Sequence, residues 1–173
     1  MKHTRLLPAA LLLLAACGTS PERAAAPERA AAPRADTDAL VAQVRAAGEL
    51  GTELEVQPLR DPQVEDLRHQ AEALEATRKF KSADAVLGQA LELTPGDPEL
   101  LQWQAELALR RRAWQRAEAL AIESFERGPK LGGLCRRNWA TIGHARAQRG
   151  AASAAEVAFR QGESCTVAPP VRM

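Results

Sequence analysis

Tyrosine is absent from this 173-residue chain, and phenylalanine and tryptophan occur three times each. So small an aromatic supply, with Ala, Leu, Glu, Arg and Gln dominating between Asp61 and Gly162, favours helix over sheet, and an all-α fold is expected. No charge of either sign is in excess. Lys plus Arg is 23 against 22 Asp plus Glu, and losing Lys2 and Arg5 with a leader would bring the formal charge to about −1, which argues against a nucleic-acid partner. The densest basic run, Arg110-Arg111-Arg112 before Trp114, reads as a solvated turn between helices. Histidine is equally scarce. His3 falls in the leader, while His69 and His144 stand alone without the i+4 ligand set that a metal site needs. No Gly-rich phosphate loop and no G-x-S-x-G elbow occurs, and Glu72, Glu75 and Glu106 read as a solvated charge cluster rather than paired catalytic acids. No enzymatic activity, cofactor, metal or small-molecule substrate is therefore expected.

Long apolar runs are also lacking. The longest is Leu6 to Ala16, which is 11 residues and too short for the roughly 18 to 20 that cross a bilayer. Behind the basic Met1 to Arg5 stretch it has the layout of a secretory signal peptide. Leu14-Ala15-Ala16-Cys17 at its end resembles the lipobox of bacterial lipoproteins. That resemblance implies cleavage before Cys17, a diacylglyceryl group on its thiol and an acylated new amino terminus, a stable anchor because two or more acyl chains are buried. The residues also leave open a soluble secreted protein cut near Ala16. Gly18, rather than Asp, after the cysteine resembles lipoproteins sorted to the outer membrane and held in its inner leaflet facing the periplasm.

Residues 1–16 are thus read as signal peptide and 17–36 as a spacer in which Pro-Glu-Arg-Ala-Ala-Ala occurs twice. As a flexible coil that spacer reaches roughly 25 Å. Residues 37–62 are read as a short helix, Asp38 to Ala47 ended by Gly48, followed by an extended connector. The main domain is expected over 63–168, with 169–173 as a tail.

Within that domain a shift of 34 residues lays Leu67 on Leu101, Ala71 on Ala105, Phe80 on Trp114, Ala83 on Ala117 and Pro95 on Pro129. A third unit follows at a shift of 38, with Trp139, Ile142 and Gly143 in a W-x2-L-G spacing and Ala155 and Phe159 in an A-x3-F spacing. The pattern resembles the tetratricopeptide repeat family, whose unit is a helix-turn-helix of 34 residues. It implies a short right-handed α-solenoid of about three units, at 64–97, 98–131 and 136–168. Small residues at 71, 105, 143, 83, 117 and 155 would let paired helices approach, and Phe80 and Trp114 would open the second helices as core anchors. In an antiparallel pair Cys135, before the third unit's first helix, and Cys165, after its second, lie at the same end, so a bridge between them is expected, with two buried free thiols as the other reading.

The family resemblance further implies a concave face lined by first helices that takes a protein or peptide segment. Its inward positions fall on Arg68, Glu72, Glu75, Gln102, Glu106, Arg110, Arg137, His144 and Gln148, although the same residues would serve as an ordinary soluble face. The function implied is an anchored envelope adaptor for pilus assembly, secretion or cell-wall remodelling. A permanent accessory subunit of an envelope complex is the alternative.

Overall fold

A computed structural model describes residues 34–51 and 59–166. The leader, Cys17, the spacer as far as residue 33, residues 52–58 of the connector and the tail beyond Thr166 lie outside the described residues. Among the described residues there are seven helices and no strand: α1 (Thr37–Gly48), α2 (Pro62–Ala76), α3 (Phe80–Leu93), α4 (Pro98–Arg110), α5 (Trp114–Arg127), α6 (Gly133–Gln148) and α7 (Ala152–Glu163).

The helix starts follow from local chemistry. Asp36, Asp61 and Asp97 each accept backbone N–H bonds from the first turn of α1, α2 and α4, and Pro62 and Pro98 stand at positions where a helix has no use for an amide donor. The turns between α2 and α3, α4 and α5, and α6 and α7 share one geometry, with Arg78 at φ 59°, Arg112 at φ 59° and Gly150 at φ 80°. Phe80 and Trp114 are the first residues of α3 and α5, as the periodicity requires.

Consecutive helices pack as α2 with α3, α4 with α5 and α6 with α7, and the pairs stack through α3 on α4 and α5 on α6. Ala71, Ala83, Ala105, Ala117 and Ala155 are all buried at these crossings, and a methyl group on Gly143 would overlap the Phe159 ring. Three apolar clusters meet on α4. Leu100, Trp103 and Leu107 join α2 and α3, Ala108 and Leu109 join α1 and α6, and Ala105 joins Ala121, Ile142 and Ala158. Every residue from Leu100 to Leu109 is therefore buried, polar ones included.

Cys135 and Cys165 form a disulfide, with a Cα–Cα distance of 5.7 Å. Its setting corrects one boundary. The third pair starts at Gly133 rather than at residue 136, so Cys135 lies in the first turn of α6 instead of before it. Gly132, at φ 85°, swings the chain into the helix early, and its N–H donates to the Cys165 carbonyl at 2.8 Å.

A second difference concerns α1. Read from sequence as a short element preceding the main domain, it packs against α4 and α6, with Val41 and Val44 fully buried beside Leu109, Ala117 and Ala140. Its start lies by Arg78 and Arg110 and its end by Arg136 in the first turns of α6, so it runs antiparallel to α4 and α6. It covers the first helices of the second and third pairs.

Candidate functional site

α1 is held on that face by charge as well as by its two valines. At its start, Asp38 accepts from Arg78 at 2.8 Å and pairs with Arg110, while Arg112 donates to the Ala35 carbonyl at 2.8 Å. The hydrogen bond from Arg78, together with the charges of Arg78 and Arg110, holds the Asp38 carboxyl below its ordinary 3.8. At its end, the Arg136 guanidinium donates to the Ala47 and Gly48 carbonyls at 3.0 and 3.3 Å, supplying acceptors left open by the last turn with a partner.

The centre is a buried polar network. Arg45 donates from Nε to Glu106 at 2.8 Å and from Nη2 to Glu75 at 2.7 Å. Glu106, with no exposed surface, also accepts from Arg137 at 2.9 and 2.5 Å and from Gln102 at 3.1 Å, and Gln102 donates to Thr141 Oγ1 at 2.8 Å. Glu75 takes a further bond from Trp103 Nε1 at 2.7 Å and lies 3.3 Å from Arg110. Burial disfavours the Arg45 charge, but the carboxylates of Glu106 and Glu75 outweigh it and raise its pKa above the ordinary arginine value.

The residues assigned by sequence to a concave face therefore divide. Glu75, Gln102, Glu106, Arg110 and Arg137 do come together, as the floor and wall of the network that α1 closes. Gln102 and Glu106 are wholly covered, a correction to their place among partner-facing residues: Arg45 of α1 and Arg137 of α6 meet Glu106, and Gln102 is held by Glu106 and Thr141. Arg68 and Glu72 stand beyond α1, where Arg68 stacks over the Trp103 ring at 5.4 Å and Glu72 is exposed. They line an open cleft of about 220 Å³ with Glu75, Glu99, Trp103 and Arg137. His144 is a second correction. It meets the Phe159 ring edge-on at 5.1 Å, and burial lowers its pKa from the ordinary 6.5. Gln148 is exposed at the end of α6 and takes no part in the network.

The arginine run at 110–112 is paired rather than simply solvated: Arg110 reaches Asp38 and Glu75, Arg111 reaches Asp84 at 2.8 Å and Arg112 reaches Ala35. Sequence reasoning missed Arg45, Asp38, Trp103 and Arg136. The alternation of Val41 and Val44 with Arg45 signals a helix with one apolar stripe, but nothing in it says which surface that stripe meets.

Among the described residues no cluster of three or more His, Cys, Asp or Glu could hold a metal ion, and no helix is long and apolar enough to cross a membrane. An apolar cleft of about 280 Å³ lies beside the end of α1, lined in part by Ala47, Leu50, Ala140 and Phe159.

No protein-family model matches the chain, and no curated protein matches it. Among solved structures, the fold is similar to that of the globular C-terminal domain of P. aeruginosa LpoP, with a TM-score of 0.58 and 23% identity. The match covers 61% of this chain and 99% of that domain, so the whole of the LpoP domain has a counterpart here. At that identity the likeness is one of fold.

Proposed function

We propose that this protein is a bacterial lipoprotein of the tetratricopeptide type, anchored through Cys17 in the inner leaflet of the outer membrane, that acts by binding another protein in the periplasm. The process served is of the envelope kind, with cell-wall remodelling, pilus assembly and secretion as its classes. The observation that carries this reading is the stack of helix pairs with an open, mixed-charge cleft at Arg68, Glu72 and Trp103, next to a sequence that offers no catalytic set. Stacked helix pairs of this kind present extended surfaces to other chains. Similarity to a domain described as globular and C-terminal supports the division into an anchor segment and a folded body.

Two experiments test it. Metabolic labelling with a fatty acid should mark the wild-type chain and leave Cys17→Ala unmarked; equal labelling would remove the anchor. A photo-crosslinker at Glu72, on the open cleft, should capture a periplasmic protein in intact cells more strongly than one at exposed Gln161. Equal capture at both positions would remove the cleft as the binding face, and recovery in fixed stoichiometry would instead indicate a permanent subunit.

A further inference from the structure

We propose that α1 is an internal ligand of the first-helix face, displaced by a partner helix that carries the same pattern. The inference rests on the adaptor reading and gives it a partner chemistry. The first observation is that the two carboxylates under α1 have partners on the body as well. Glu106 keeps Arg137 at 2.9 and 2.5 Å, and Glu75 keeps Arg110 at 3.3 Å and Trp103 Nε1 at 2.7 Å, when Arg45 leaves. A buried ion pair resists opening chiefly because one partner is left uncompensated, and here neither carboxylate is. On the departing side, the Asp38 and Arg45 side chains are already 44% and 41% exposed, so both return readily to water.

The second observation is the connection. α1 ends at Gly48 and α2 begins at Pro62, so residues 49–61 join them. Thirteen residues have a fully extended reach of about 40 Å, a chain length that permits α1 to leave without disturbing α2.

The seat specifies its occupant. It takes an acid at the start for Arg78 and Arg110, apolar residues three and six positions later where Val41 and Val44 now sit, and an arginine next in line for Glu75 and Glu106. A tethered segment competes at a high effective concentration, so a free helix needs an added contact to replace it. The apolar cleft beyond Gly48 provides one. Leu50 there is 63% exposed and Phe159 39%, so the cleft offers apolar surface to a partner helix that continues past the end of α1.

The test uses the full chain and a fluorescent peptide of residues 36–50 that keeps Gly48, where an added methyl group would meet the Arg137 side chain. Anisotropy should show at least tenfold tighter binding to a Val44→Asp protein, whose own α1 cannot seat, than to the wild type, and Arg45→Glu in the peptide should lose at least tenfold. Equal or absent binding to both proteins, with helical circular dichroism intact, overturns the proposal. Should Val44→Asp lose its helices, hydrogen exchange on the wild type decides: α1 amides exchanging at least tenfold faster than those of α4 support it, and equal rates overturn it. Capture at Glu72 in cells without peptide binding would leave the adaptor and remove the internal ligand; peptide binding without capture would do the reverse.

Discussion

α2 and α4 hold the same place in successive helix pairs, with Glu72 and Glu106 at matched positions 34 residues apart, yet the first is exposed and the second has no accessible surface. The periodic part of the sequence treats them alike. What separates them is α1, which lies outside the period, packs on α4 and α6 and meets α2 through the Arg45–Glu75 ion pair. A repeat thus sets which residues share a face, while a single non-repeating helix sets which of them meet solvent.

The sharpest way to break that comparison is to reverse the two acids. Glu106→Lys places a third cation against Arg45 and Arg137 in a covered site and should cost at least about 3 to 5 kcal/mol. Glu72→Lys should stay within about 0.5 kcal/mol. Urea unfolding of both variants measures this, and similar losses would mean that α1 does not cover α4. A partner-binding test therefore belongs on Glu72, because reversal of Glu106 perturbs the fold itself.

Next in size is the bridge that staples the third pair. Its counterparts in the first two pairs have no cysteine, so Cys135→Ser with Cys165→Ser should lower stability by about 3 to 4 kcal/mol in the chain-entropy account, read as a drop in Tm. An unchanged Tm would show that the helix packing alone holds that end.

Two glycines sharpen the contrast between covered and open helix faces. Gly143→Ala drives a methyl group into the Phe159 ring and should cost about 1 to 3 kcal/mol. Gly88→Ala, inside α3 with Gln104 Nε2 at 3.9 Å as its nearest neighbour, should stabilise by about 0.5 to 1 kcal/mol. Opposite signs in one thermal-melt series are expected; two losses would place α3 in a tighter setting than described.

The smallest effect is one of pH. Burial lowers the His144 pKa below 6.5, so the unfolded chain binds this proton more readily than the folded one. Its contribution is complete above 6.5 and is lost as pH falls from there through the folded value. Tm of the wild type should begin to fall below about pH 6.5, while His144→Phe should lack that step until the carboxylates titrate, with Asp38 among the last.

Much of the framework was legible in the residues. The 34-residue shift located the helix pairs, put Phe80 and Trp114 at the head of α3 and α5, and placed small side chains where helices cross, because crossing geometry repeats whenever packing does. Asp38 to Ala47 was legible as a helix with Val41 and Val44 on one stripe. Its seat was not, since an apolar stripe records that something is covered and carries no address. His144 went astray for a related reason. Positions were carried to the third pair by counting, whereas the four extra residues before α6 and the Phe159 ring opposite Gly143 turn that helix's surroundings into something the count does not describe.

Arg78 and Arg112 sit in a left-handed backbone conformation that glycine, present at the equivalent Gly150, adopts without steric penalty. Selection for a relaxed bend alone would have left glycine at all three. What the arginines add is reach, to Asp38 and to the Ala35 carbonyl, so two hairpins carry local frustration as the latch for the leading helix. Laboratory evolution for heat tolerance would be drawn to those two codons, and each relaxing change it kept would unfasten α1.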